Sequence, residues 1–296
     1  CPGVVPSLFA VIQALTEPGD KVIIQPPVYH PFFTTVTKSE RELVLNPLQI
    51  KGDLYHMDLA HFEQCAKDGA KLLLLCSPHN PAGRVWSRAE LENLLAIAKK
   101  YNLTIVTDEI HADLIYPGEK HIPLAAIADD VRVVSTVSPS KSFNIPGLGL
   151  SAMVINDPEQ RRLINEVFES WHISAANPFS ISAFEAAYSS GAEWLEQLMV
   201  YLDETRKEVI GFIKSKVPQI KVMPSQGTYL LWLDCREMGL ADDELRHFFI
   251  NDAKVGMNPG VTFGQVGSGF MRMNIAAPRQ VIMEACQRIA NACKQR

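Results

Sequence analysis

Four short runs in the first half of the chain are apolar along almost their whole length: "KVIIQ" (21–25), "KLLLLC" (71–76), "TIVT" (104–107) and "VRVVSTV" (131–137). A strand with one wet face alternates apolar and polar residues, because successive side chains point to opposite faces. A run without a polar face must be covered on both sides, the condition of a parallel sheet sandwiched by helices. Helical patterns lie between these runs. Val5, Leu8, Phe9, Ile12 and Leu15 share one face of a helix that "EPGD" ends. Ser87 and Glu90 have the spacing of a capping box ahead of Leu91, Leu94, Leu95 and Ala98. The expected fold class is α/β.

The texture changes near residue 186. A long helical stretch over 192–216 leads to "GTYLLWLD", whose near-alternation predicts a strand of a smaller sheet. A helix at about 241–252, a strand "FMRMNI" and a terminal helix from Arg279 follow. The pattern predicts a large domain over 1–190 and a smaller C-terminal α+β domain over 191–296, without internal repeats or a flexible linker.

With 296 residues and 47% hydrophobic content the chain can bury a large core. Its net charge of −5 argues against nucleic acid or an anionic membrane as the main partner. No apolar run approaches the roughly 18 residues that span a bilayer. Cys1, Cys65, Cys76, Cys235, Cys286 and Cys293 have no metal-ligand spacing and read as reduced thiols of a cytosolic protein, with no metal site expected. The first residue is Cys rather than Met, and no charged leader or cleavage site follows. The expectation is that an N-terminal segment precedes residue 1.

Ligands of open parallel sheets bind outside the carboxyl ends of the strands. There the chain places Asn80 in "SPHNPAGR", Asp108 at the head of "DEIHAD", Lys141 at the end of "SPSK" and Tyr29 in "PPVYHPF". Singly, each has an ordinary explanation: a turn residue, a helix N-cap, a solvated lysine, a core aromatic. Together, an amide, a carboxylate, an amine and a ring converge on one edge. Pyridoxal 5′-phosphate requires such a set. Its aldehyde takes a lysine amine, which later moves protons at the substrate Cα. Its ring nitrogen needs a carboxylate to stay protonated, its ring a flat partner, its 3′-oxygen a donor, and its phosphate hydroxyls and free N–H groups.

The strings "NPAGR", "TDEIHADL", "SPSKSFNIPGL", "PPVYHPF" and "RMNIA" resemble the fold-type I pyridoxal-phosphate enzymes of the class I/II aminotransferase superfamily. More narrowly they resemble its MalY/PatB branch of cystathionine β-lyases, or C–S lyases, over essentially the whole chain. The resemblance implies a mostly parallel, seven-stranded sheet between helices, a cytoplasmic homodimer and a small-molecule sulfur amino acid substrate. It implies that Lys141 carries the cofactor, Asp108 pairs with its ring nitrogen, Asn80 meets its 3′-oxygen and Tyr29 stacks on its ring. Ser138, Ser140 and the N–H groups of Gly3, Val4 and Val5, at a helix start, would hold the phosphate. Arg272 in "FMRMNIA" would grip the substrate α-carboxylate. Two positions depart from the general aminotransferase pattern. His111 stands where many carry a tyrosine at the 3′-oxygen, and Gly149 where many carry an arginine at the phosphate. Both match the C–S lyase branch, so the resemblance implies β-elimination to a thiol, pyruvate and ammonia. An L-amino acid aminotransferase and a weakly catalytic cofactor-binding regulator are the other readings.

Overall fold

The structure is a computed structural model and describes residues 1–173 and 178–296. The chain opens with α1 (Val4–Leu15), β1 (Lys21–Ile24), α2 (Pro31–Lys38) and β2 (Glu42–Leu45). A hairpin of β3 (Gln49–Lys51) and β4 (Leu54–His56) leads to α3 (Leu59–Lys67), β5 (Leu72–Cys76) and α4 (Arg88–Tyr101). Then come β6 (Thr104–Asp108), β7 (Val133–Val137), β8 (Ala152–Ile155), α5 (Pro158–Ser170) and α6 (Pro178–Ser190).

The main sheet has the order β2-β1-β5-β6-β7-β8. Its first five strands run parallel and β8 runs antiparallel beside β7. All residues of β5 and β6 are buried, as their unbroken apolar character requires. Alternate residues of β5 serve opposite faces. Leu73 and Leu75 pack with Leu91, Leu94 and Leu95 of α4, whereas Leu72 and Leu74 pack with Leu8, Val11 and Ile12 of α1. Helices therefore cover both faces. Among the described residues this sheet has six strands, not the seven implied by the resemblance. Two of the six, β2 ("ELVL") and β8 ("AMVI"), have no counterpart in the sequence reading. Both are edge strands with exposed apolar residues, Leu45 and Val154, and so lack the signature of full burial.

The predicted capping box opens α4: Ser87 Oγ accepts from the Glu90 N–H (3.3 Å) and Glu90 Oε2 from the Ser87 N–H (2.9 Å). The second sheet follows α7 (Ala192–Lys216). It joins β9 (Lys221–Val222), β10 (Leu230–Asp234), β11 (Asn258–Pro259) and β12 (Phe270–Asn274) in the antiparallel order β11-β12-β10-β9. Its apolar side packs against α7 and α9 (Arg279–Lys294) through Leu231, Leu233, Val209, Ile213 and Ile289. The helix expected over 241–252 is α8 (Asp242–His247) continued by a π turn over Phe248–Asp252. The loop before β10 is stitched to the first sheet's loops, with Thr228 N–H donating to Leu114 O (2.7 Å) and Tyr116 N–H to Gln226 O (3.0 Å). These bonds bring the ends of β10 and β12 over the carboxyl ends of β5, β6 and β7. All six cysteines are free thiols. Among the described residues no helix is long and apolar enough to cross a membrane.

Candidate active site

A cavity of about 350 Å³ opens where the parallel strands end, and every candidate residue named from the sequence lines it. The strand register sets its floor, since Cys76 of β5 lies opposite Asp108 of β6 and Asp108 opposite Thr136 of β7. Among the lining residues the formally charged side chains are Asp108, Lys141 and Arg272. Two cations against one buried anion favour an anionic guest.

Asp108 is the last residue of a strand with no wet face, and it is 5% exposed. No helix begins after it; residues 110–113 form a turn, and Asp108 Oδ1 accepts from the Ile110 N–H (3.1 Å). It is thus not a helix N-cap. Among the described residues it makes no ion pair. Burial pushes its pKa up to about 6, against the opposing pull of the Ile110 hydrogen bond and the Lys141 charge. A carboxylate held at such cost is suited to a cationic partner inside the cavity.

Lys141 lies in the turn that follows β7, half-buried, with no hydrogen bond or ion pair among the described residues. Its loop is held from within. Ser138 Oγ donates to Leu150 O (2.7 Å) and accepts from the Ser140 N–H (3.2 Å). A hydroxyl has one proton, so in this geometry Ser138 shapes the loop, whereas the Ser140 hydroxyl has no partner among the described residues. At the far end α1 starts on Gly3 with neither a side-chain cap nor an acidic residue in its first turn. The first N–H groups of a helix have no intrahelical acceptor, and its dipole favours an anion there. Gly149 closes this end with φ 56°, and a Cβ there would lie 3.3 Å from Pro2 O. Both features disfavour a side chain at this position, beside Gly3, Val4 and Val5 on the cavity wall.

Arg272 of β12 is not a free surface residue. Its Nη1 donates to Asn80 Oδ1 (2.8 Å), its Nη2 to Asn258 Oδ1 (2.9 Å), and its guanidinium lies 4.7 Å from the Phe263 ring centre. Burial lowers its pKa, opposed by the Tyr29 and Tyr229 hydroxyls. Because Asn80 Oδ1 is occupied, its Nδ2 protons are the ones left to donate to a guest in the cavity. Burial raises the Tyr29 phenol above its ordinary value, so it stays protonated at neutral pH.

His111 is 3% exposed, and among the described residues its Nδ1 has no partner. Burial, helped by the Lys141 and Arg272 charges, pushes its pKa down to about 3. Burial does the same to His79, which is 0% exposed. A histidine whose folded pKa lies below its ordinary 6.5 contributes stability that is complete above pH 6.5 and is lost as pH falls toward 3. Each contributes a slope of up to about 1.4 kcal/mol per pH unit in that window. Urea midpoints should therefore fall below pH 6, and fall less steeply in His79→Gln. Equal slopes would contradict this.

Among the lining residues that escaped the sequence reading are Cys76, Tyr229, Asn274 and Leu230. Asn258, which holds Arg272, also escaped it. Cys76 Sγ accepts from the Asn80 N–H (3.4 Å) and donates to Pro78 O (3.5 Å), so it shapes the Asn80 turn. Applying the strand-end rule one residue earlier would have found it. Tyr229 stands edge-on to His111 (5.8 Å) and carried no local signal. On the other side of Lys141 a second cavity of about 310 Å³ shares Lys141, Tyr229 and Asn274 and is faced by Trp194 and Tyr201.

Comparison with known proteins agrees with this geometry. The profile of the aminotransferase class I and II family matches residues 1–289. The cystathionine beta-lyase PatB of Bacillus subtilis is 40% identical over 294 residues, covering 98% of this chain and 76% of that protein. The crystal structure of cystalysin from Treponema denticola, which contains a pyridoxal 5′-phosphate cofactor, superposes with a TM-score of 0.96 at 35% identity, covering 99% of this chain and 75% of that one. The pyridoxal-phosphate-bound C–S lyase of Staphylococcus hominis superposes with a TM-score of 0.91 at 32% identity, covering 98% and 76%.

Proposed function

This chain belongs to the aminotransferase class I and II family, and we propose that within it the chain is a pyridoxal-phosphate-dependent carbon–sulfur lyase. Its substrate would be L-cystathionine or a related cysteine S-conjugate, consumed with water to give a thiol, pyruvate and ammonia. The observation that carries the reading is a buried Asp108 without an ion pair in one cavity with a Lys141 that, among the described residues, makes no hydrogen bond or ion pair. The lyase names of the relatives support the choice of reaction. So do His111 and Gly149, where aminotransferases commonly carry tyrosine and arginine.

The residues present fit the cofactor. Lys141 would hold its aldehyde carbon, Asp108 its ring nitrogen, the Asn80 amide its 3′-oxygen and Tyr29 a face of its ring. Ser140 and the N–H groups of Gly3, Val4 and Val5 would hold its phosphate, while Ser138 would act through the loop. When bound, the cofactor supplies a sink for the electron pair released at the substrate Cα.

The chain's own groups do the rest. Arg272, already oriented by Asn80 and Asn258, binds the substrate α-carboxylate through charged hydrogen bonds worth about 1.5–3 kcal/mol each. Lys141, as a free amine, removes the Cα proton. Asp108 keeps the ring nitrogen protonated as negative charge develops. The pair left at Cα then forms a Cα–Cβ double bond as the Cβ–S bond breaks, and water converts the released enamine to pyruvate and ammonia. The Cβ–S electrons leave with sulfur, which needs a proton. Lys141 has just taken one and is the economical donor; the protonated Tyr29 phenol is the second. The exposed apolar side chains Phe179, Ile181, Tyr188 and Trp194 support a homodimer.

The test is acceptor dependence. With added pyridoxal phosphate and L-cystathionine but no 2-oxo acid, pyruvate and free thiol should appear in equal amounts. Product only when a 2-oxo acid is supplied would make the chain an aminotransferase. Cofactor binding without either product would leave the regulatory reading.

A further inference from the structure

The string "DEIHAD" supplies Asp108 and His111 to the cavity, yet its last residue, Asp113, lines neither cavity beside Lys141. Its carboxylate does something else. Asp113 Oδ2 accepts from the hydroxyl of Ser142, the residue after Lys141, at 2.8 Å, and from Tyr188 Oη of α6 at 3.4 Å. Ser142 is 0% exposed. The next residue is held too: Phe143 stacks on Trp194 (5.6 Å) and stands edge-on to Tyr188 (5.9 Å). A Cβ on Gly191 would come within 2.4 Å of its ring. On the near side Ser138 is tied to Leu150. The turn is thus anchored at 138 and at 142–143, and between these anchors the side chains of Ser140 and Lys141 are left for the cavity.

We propose that Asp113 is a positioning residue that, through Ser142, sets the backbone from which Lys141 reaches the cavity. One segment, 108–113, then governs both charged groups at the strand ends: Asp108 directly and Lys141 through Asp113. Without that acceptor the buried Ser142 hydroxyl must turn elsewhere, and the main chain on that side of Lys141 loses one of its two anchors, leaving only the Phe143 packing. Misplacement of a reacting group by about 1 Å can cost on the order of a hundredfold in rate. The inference rests on the reading of Lys141 given above.

The experiment compares wild type, Asp113→Ala, Asp113→Asn and Ser142→Ala. Each full chain is mixed with pyridoxal phosphate and reduced with borohydride, and the share of Lys141 modified is read by peptide mass mapping. Thermal midpoints and the split between kcat and KM accompany it. Asp113→Ala and Ser142→Ala should lower Lys141 capture severalfold and kcat about ten- to a hundredfold, with KM nearly unchanged. Asp113→Asn keeps an acceptor oxygen for the Ser142 hydroxyl and should recover most of the capture. Wild-type capture and kcat in Asp113→Ala, or in Ser142→Ala if Asp113→Ala does not fold, would overturn the inference. So would an Asn variant that loses as much as the Ala variant. A wild-type chain that captures nothing at Lys141 would remove the reading of Lys141, and this inference with it.

Discussion

Lys141→Ala should lower pyruvate formation from L-cystathionine by at least about 10³-fold while leaving the fold intact. Two roles disappear together: the amine that holds the cofactor and the base that takes the Cα proton. A positioned acid–base group alone contributes on the order of 10²–10⁴-fold. Lys141 is half-buried in a turn and makes no hydrogen bond or ion pair among the described residues, so its loss leaves no orphaned partner. The thermal midpoint of the cofactor-free chain should therefore hardly move. Exchange of the substrate Cα hydrogen in D₂O, followed by NMR, checks the base role separately from product formation. Undiminished exchange in the Ala variant would assign the proton to another group.

Asp108→Asn should act in opposite directions on activity and on stability. An amide cannot hold a proton on the ring nitrogen, and loss of one preorganised electrostatic contact typically costs about 10²–10³-fold in kcat. The cofactor-free chain, however, carries Asp108 with its pKa raised from 3.8 to about 6 by burial. A raised folded pKa contributes stability that is complete below about pH 4 and is lost as pH rises through 6. Above pH 7 the charged form therefore carries a penalty that the amide avoids, up to about 3 kcal/mol at 1.36 kcal/mol per unit. Denaturation of the cofactor-free chains should find Asp108→Asn the more stable at pH 8 and equal to wild type near pH 3.5. An Asn variant less stable than wild type at pH 8 would show that Asp108 has a cationic partner other than the cofactor.

What could be read before the fold was known follows from burial. β5 and β6 announce themselves because both faces are covered, and α7 because 25 residues pass without proline. The edge strands and the polar hairpin β3–β4 do not, since half-exposed residues carry a diluted pattern. At the site, Asn80, Asp108 and Lys141 follow from one local rule about strand ends. Arg272 came through the resemblance alone. Its partner Asn258 and the neighbouring Tyr229 depend on how the second sheet seats over the first, which no local pattern encodes. The Ser142–Asp113 bond spans 29 residues and is likewise silent in sequence. Ser138 illustrates the converse: it lines the cavity, but the fold directs its proton to Leu150 rather than to the phosphate that the resemblance implied.

The most direct test of the central claim, that Lys141 is the cofactor-bearing residue of this cavity, is borohydride reduction of the wild-type chain mixed with pyridoxal phosphate, followed by peptide mapping. A single stable adduct is expected on the peptide carrying Lys141, with the other lysines modified only in proportion to free reagent. An adduct spread evenly over surface lysines, or concentrated on another one, would contradict it.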